Sequence, residues 1–188
     1  MPSTSFTSTI ETLKKSLTGW NFSWGGWFDN RHGEWWLLAQ LLVISAHLLP
    51  ALPSPERFIM PWLMLSFQLV GLVIFFVGLI LVIQAFLALG ESLSPLPEPK
   101  KSCRLILNGP YNRCRHPLYK GLLICSFAVL LYKASLLHLI LFILFCALLS
   151  GKARREEAKL SQLFPDYIDY RDVTPAIFAG IPLLDWRC

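Results

Sequence analysis

Two short stretches bring together residue types able to do chemistry. The first is Asn108-Gly-Pro-Tyr-Asn-Arg-Cys-Arg-His-Pro-Leu-Tyr-Lys-Gly121. Asn-Gly-Pro marks a turn, and Pro117 stands where a helix begins without needing an N–H donor. Arg113, Arg115 and His116 therefore gather at a helix entrance. Open amides at such an entrance favour an anion, and two guanidinium groups add to that. On the residues alone, anchoring to anionic lipid explains the same basic cluster equally well. The second stretch is Arg155-Glu156-Glu157. On a helix, Ala153, Glu156, Glu157, Leu160, Leu163 and Phe164 share one stripe, while Lys152, Arg155 and Lys159 share another. Carboxylates on a protein-facing stripe call for a cation. That cation is either on a ligand or within the protein, as Arg113, Arg115 or Arg171.

A third stretch, Phe164-Pro-Asp-Tyr-Ile-Asp-Tyr-Arg171, offers Tyr167 and Tyr170 to close a pocket or meet headgroups. His47 and His138 fall inside apolar runs and read as satisfied core or interface residues. The five cysteines form no C-x-x-C pair, so no metal site is expected. Neither G-x-G-x-x-G nor a P-loop is present, which argues against a soluble nucleotide-binding domain.

The elements that must position these residues are apolar. Of the 188 residues, 54% are hydrophobic and 15% charged, well below the quarter or so that a soluble domain carries. The expected fold is all-α, a polytopic membrane protein of about four transmembrane helices. Apolar runs cover Trp35 to about Leu49, Trp62–Leu89, Leu118–Tyr132 and Ala134–Leu149. The second could reach roughly 42 Å, more than the ~30 Å hydrocarbon core, so it must tilt or protrude. The last two are short and joined tightly, as a hairpin or a re-entrant pair.

Residues 1–34 read as a polar and aromatic interfacial segment, with Trp20, Phe22, Trp24, Trp27 and Phe28 at the headgroups. Residues 35–188 read as the membrane domain, with cytoplasmic segments at 91–116 and 151–188. Prolines at 95, 97 and 99 exclude a regular helix in the first of these. The last helix is expected to run on past the membrane to Phe164, and the tail beyond, with Pro165, Pro175 and Pro182, to be irregular. Of 17 Lys and Arg residues, only Arg57 and Lys133 fall in the loops after the first and third runs. That bias puts both termini in the cytoplasm. The net charge of +5 fits topology better than nucleic acid, and membrane lipid is the expected partner.

At these motifs the chain resembles a known superfamily. Leu89-Gly-Glu-Ser-Leu-Ser-Pro-Leu-Pro-Glu-Pro99, Gly109-Pro-Tyr, Arg115-His-Pro-Leu-Tyr-Lys-Gly121, Arg155-Glu-Glu-x-x-Leu160 and Phe164-Pro-x-Tyr-x-x-Tyr170 carry the resemblance. They resemble the isoprenylcysteine carboxyl methyltransferase and phospholipid methyltransferase superfamily, in order and spacing, over roughly residues 60–182. The resemblance implies a membrane-embedded enzyme that binds S-adenosylmethionine without a Rossmann domain. It implies that His116, Tyr119 and Gly121 line the cofactor site with Pro97, Leu107, Gly109 and Tyr111, and that Glu156 and Glu157 hold its polar end. Arg171, Arg115 and Glu157 become the candidates for catalysis, with Arg171 ordering the tail or the substrate. Where the family commonly has an Arg-Tyr-Val-like stretch before Arg-His-Pro, this chain has Asn112-Arg113-Cys114, so Arg113 receives no role.

Methyl transfer from a sulfonium asks mainly for positioning in a dry pocket. A carboxylate acceptor is already ionised at neutral pH, and Arg171 or Arg115 could orient it. An ethanolamine acceptor must first lose a proton, for which His116, the glutamates and the tyrosines offer themselves. The motif set resembles the carboxyl-methylating branch more closely, so an isoprenylcysteine-like, lipophilic acceptor is expected, with phospholipid N-methylation as the alternative. Two other classes remain: an NADPH-dependent membrane reductase of the sterol-reductase type, and a non-catalytic membrane protein whose Arg and Glu residues simply pair.

Overall fold

The computed structural model describes residues 30, 33–55, 59–92, 94, 96–97 and 104–187. The aromatic cluster expected at the interface, from Trp20 to Phe28, lies outside them. Among the described residues the fold is helical and without strands. Helix α1 spans Glu34–Ala46, α2 Pro61–Leu89, α3 Pro117–Lys133, α4 Leu136–Leu163 and α5 Tyr167–Val173. Two of them, α2 and α4, are long and apolar enough to cross a membrane. Short 3-10 turns at Gly90–Ser92 and Gly109–Asn112 are the regular structure described between α2 and α3, as the prolines there dictate.

Helix α2 shows why so apolar a segment stays ordered. Along its 29 residues the buried positions are Gly71, Gly78 and Ala85, seven apart, a spacing that keeps one narrow seam facing a partner helix. The partner is α3. A Cβ at Gly78 would meet the backbone of Cys125 and Gly121 at 3.0 Å, and one at Gly121 would meet the Val82 nitrogen at 2.9 Å. Small residues let the two backbones touch, the packing that holds helices together in lipid. Much of the rest of α2, including Leu69, Val73, Phe76, Val77, Ile80 and Ile83, is exposed. An apolar surface of that extent suits hydrocarbon rather than water.

Helices α3 and α4 form a tight hairpin. Ala134 takes a left-handed conformation (φ 44°) and Ser135 caps α4 by accepting from the His138 amide. The expected continuation of α4 beyond its apolar part is present, through Lys152 to Leu163. The tail differs from expectation. Instead of being irregular, it forms α5, with Pro165 just ahead of its start and Pro175 two residues past its end. Proline is tolerated at a helix entrance and prevents continuation after the exit.

The core joins Val43 of α1, Tyr119 and Leu123 of α3, Phe145, Leu149 and Ala153 of α4, and Ala176, Ile177 and Leu184 of the tail. His47 and His138, expected as satisfied core residues, are hydrogen-bonded. His47 reaches the Val43 carbonyl through Nδ1 and the Ser126 hydroxyl through Nε2, both at 2.7 Å. His138 Nδ1 lies 2.7 Å from Ser135 Oγ, and its Nε2 donates to the His47 carbonyl at 3.3 Å.

Candidate active site

The amide nitrogens of Arg115 and His116 donate to the carbonyls of Pro175 and Ala176, each at 2.9 Å. The tail thus pairs with the Arg-His-Pro turn and occupies two amides that sequence reasoning left open to an anion. The side chain of Arg115 is buried and points inward. Its Nε and Nη2 donate to Glu157 at 2.7 and 3.2 Å, and its Nη1 donates to the carbonyls of Arg171 and Thr174. Glu157 also lies 2.9 Å from His116 Nε2 and accepts from Trp186 Nε1 at 2.7 Å. Four donor groups therefore saturate one buried carboxylate. This is the internal pair that charge alone allowed, with Arg115 chosen over the exposed Arg113.

Glu156 is held differently. One oxygen accepts from the Tyr119 hydroxyl at 2.9 Å, and His116 Nδ1 stands 3.8 Å away. Its side chain is 27% exposed, and it lines a cavity of about 240 Å³. His116 and Tyr119 stack face to face, 5.3 Å between ring centres. The two adjacent glutamates thus divide the work: Glu157 fastens the tail and the helix entrance, and Glu156 presents negative charge to the cavity.

The cavity lies where the start of α1, the end of α2, the start of α3 and the charged end of α4 converge. Arg115, His116, Tyr119, Glu156 and Tyr111 all line it, as do Tyr167 and Tyr170. The other predicted site residues lie elsewhere. Gly121 is in the α2–α3 contact, Pro97 is buried against Gly33, and Gly109 sits in a 3-10 turn with open space beside it. Leu107 is exposed. Arg171 turns its side chain to Asp172, while its carbonyl holds Arg115.

Four residues that sequence reasoning did not single out for the site matter here. Lys152, on the stripe it shares with Arg155 and Lys159, is 2% exposed and donates to Gln40 of α1 at 2.6 Å; both line the cavity. Arg104 adds a third cation to the wall beside Arg115 and Lys152, and Trp186 closes over the Arg115–Glu157 pair with Arg115 and Arg154 against its ring, at 5.8 and 4.9 Å. A glutamine inside an apolar run was the one available signal for Gln40.

Burial, followed by the nearby Glu156 charge, pushes the Tyr111 phenol well up, and burial does the same to Tyr167 and Tyr170. These phenols stay protonated and act as donors. Tyr167 Oη is buried with no hydrogen-bond partner, on the cavity wall. An orphan donor there, with one carboxylate, three cations and several aromatic faces, suits a ligand that carries both charges and a flat ring. S-adenosylmethionine is such a molecule, and the donor set fits it.

Two metal-resistance proteins are similar over part of the chain. The nickel-cobalt-cadmium resistance protein NccN of Alcaligenes xylosoxydans xylosoxydans is 35% identical over 89 residues, 45% of this chain and 40% of that protein. The cobalt-zinc-cadmium resistance protein CzcN of Cupriavidus metallidurans is 29% identical over 89 residues, 45% of this chain and 39% of its own. The matched stretch spans about two fifths of the length of these relatives. The family model described as "Phospholipid methyltransferase" matches residues 67–166, from α2 through the Arg-His-Pro turn to Pro165-Asp166 just ahead of α5. The chain belongs to the phospholipid methyltransferase family.

Proposed function

We propose that this protein is an S-adenosylmethionine-dependent enzyme that methylates the carboxylate of an isoprenylcysteine-like, lipophilic acceptor at the membrane. The observation that carries this reading is the unequal treatment of the two glutamates. Glu157 accepts from Arg115, His116 and Trp186 and has no free lone pair to act as a base. The tyrosines stay protonated. A reaction that needs no base suits such a site, and a carboxylate acceptor needs none.

In this reading Glu156, Tyr111, Tyr167, Tyr170 and Arg104 hold the cofactor from the extramembrane side. When bound, S-adenosylmethionine supplies a methyl group whose bond to sulfur breaks as its bond to the acceptor oxygen forms. The chain's own part is geometric. The Arg115–Glu157 pair fixes the helix entrance, His116 and Tyr119 stack to fix the wall, and the tail keeps water away from it. Four crossings by α1 to α4, with both termini on the cytoplasmic side, would put this wall at the cytoplasmic surface, where the Lys and Arg residues concentrate.

Phospholipid N-methylation is the second reading, favoured by the partly exposed oxygen of Glu156, which could take a proton from an ethanolamine ammonium. Labelled methyl transfer in membranes containing the protein, with a small prenylcysteine and phosphatidylethanolamine offered together, separates the two. Label in the prenylcysteine ester is the expected result. Labelled phospholipid with unlabelled prenylcysteine would overturn the carboxyl reading.

A further inference from the structure

The tail carries a sequence signal that the site does not use. Ala176-Ile-Phe-Ala-Gly-Ile-Pro-Leu-Leu184 has no charged or polar side chain, although it forms a surface loop, where polar residues are the rule. Its two ends are anchored: Ile177 and Leu184 belong to the same core as Leu123 of α3 and Phe145 and Leu149 of α4. Between them the chain turns outward. Ile181 and Leu183 are 46% and 47% exposed, and Phe178 is partly buried. None of these residues lines the cavity. Single exposed apolar residues are ordinary, but a continuous apolar loop asks for something to cover it.

The position of the loop along the helices says what that is. Ser150, directly after the apolar run of α4 ends at Leu149, donates its hydroxyl to the Leu183 carbonyl at 2.6 Å. Lys120, in the first turn of α3, holds its ammonium 5.0 Å from the centre of the Phe178 ring. The exposed side chains thus stand at the level where the apolar parts of α3 and α4 give way to charge. A lysine stem laid along apolar surface, with its ammonium toward water, is how this side chain behaves at a bilayer surface. The backbone suits such surroundings too. The amides of Ala176 and Gly180 donate to the Asp185 carboxylate, those of Ile177 and Phe178 to the Leu184 carbonyl, and that of Leu184 to the Ile181 carbonyl. Internally paired amides are what a segment beside hydrocarbon requires.

We propose that the loop from Phe178 to Leu183 is a membrane-docking surface, its apolar side chains seated between headgroups and acyl chains of the bilayer that α2 and α4 cross. The inference goes beyond the methyl-transfer reading and rests only on that crossing. Lipid is the occupant because the patch is uncharged, shares its core with the apolar helices and lies level with their ends. Docking there ties the tail to the membrane on one side, while the Pro175 and Ala176 carbonyls hold the Arg115 and His116 amides on the other. The bilayer thereby helps to keep Trp186 on Glu157.

The test places a nitroxide on the purified full-length chain in phosphatidylcholine–phosphatidylglycerol vesicles, at Ile181→Cys, Leu183→Cys, Val73→Cys and Asp172→Cys in turn. Wild type carried through the same labelling gives the background of the native cysteines. Accessibility to oxygen, which concentrates in hydrocarbon, is compared with accessibility to a water-soluble nickel chelate. Val73, exposed on α2, is the lipid reference, and Asp172, exposed on α5, is the aqueous one. Labels on Ile181→Cys and Leu183→Cys should favour oxygen, as on Val73→Cys, at a depth of about 5–10 Å into the headgroup and acyl boundary. Both positions are exposed, so either one suffices if melting shows the other to be misfolded. Nickel access equal to that of Asp172→Cys, with Val73→Cys in lipid, would overturn the proposal alone and leave the loop to a protein partner. Low access to both reagents would overturn it as well, since another chain or segment would then cover the loop. If Val73→Cys also reports water, the crossing by α2 fails and the proposal fails with it.

Discussion

Among the described residues, two buried polar clusters face opposite ends of the α3–α4 hairpin. At the far end, His47, Ser126, His138 and Ser135 pair among themselves and with backbone carbonyls. At the near end, Arg115, His116, Glu157 and Trp186 do the same. Each cluster ties the helices together across long sequence separations, and each contains histidine. The difference is the cavity. The near cluster borders a space whose wall includes a partly exposed carboxylate, an orphan phenol and a buried lysine. The far cluster is closed on itself. Buried polarity therefore marks a joint, and it marks a site only where some polar groups remain turned toward open space.

The comparison can be broken by removing the centre of each cluster in turn. Glu157→Ala should have the largest effect, because it strands a buried guanidinium. A loss of about 3–5 kcal/mol is expected, read by denaturation of the purified protein, and a loss below 1 kcal/mol would mean the pair is not buried as described. Next, His47→Ala should cost about 1–3 kcal/mol by leaving the Ser126 hydroxyl without its partner. It should leave S-adenosylmethionine binding unchanged, since the far cluster has no part in the cavity. Weaker cofactor binding in that variant would erase the distinction between the clusters.

Smaller changes sharpen it. Trp186→Phe keeps the ring over Arg115 and removes one donor to Glu157, for an expected cost of about 1 kcal/mol. Amide exchange should quicken first in residues 176–186, and no local change would show the tail to be held without it. Asp185 accepts from the Ala176 and Gly180 amides and from Arg187. Burial works to raise its carboxyl, but these bonds outweigh that and hold it below the usual carboxylate range. A depressed carboxyl contributes stability that is complete above its unfolded pKa, near 4, and is lost as pH falls through the lower folded value. Protection of the 176–185 loop should therefore fade below about pH 4 in wild type and be pH-independent in Asp185→Asn. A flat profile in wild type would contradict the assigned role.

Much of this architecture was legible because it depends on local pattern. The apolar run Trp62–Leu89 bounded α2 to within one residue of its start at Pro61, and Pro117 marked the Arg-His-Pro entrance. The pairing of charges was only half legible. Helical spacing put Glu156 and Glu157 toward protein, but which arginine would meet them depended on the tail. The carbonyls of Pro175 and Ala176 hold the turn so that Arg115 points inward.

The burial of Lys152 was not legible for a related reason: it follows from the docking of α1 through Gln40, a contact that no window of sequence contains. Gly121 is instructive in the opposite sense. It belongs to the motif, and the structure gives it a packing role against Gly78 and Val82, since a bare backbone there sets how closely α2 and α3 approach.

The central claim is that the cavity beside Glu156 receives S-adenosylmethionine. It is tested most directly by equilibrium binding of the cofactor to purified wild type and Glu156→Gln, with thermal melting as the control for folding. Saturable binding is predicted in wild type. In Glu156→Gln it should weaken by about tenfold or more, the cost of one charge-assisted hydrogen bond, at nearly unchanged stability. No binding by a folded wild type, or equal binding by both, would contradict the account.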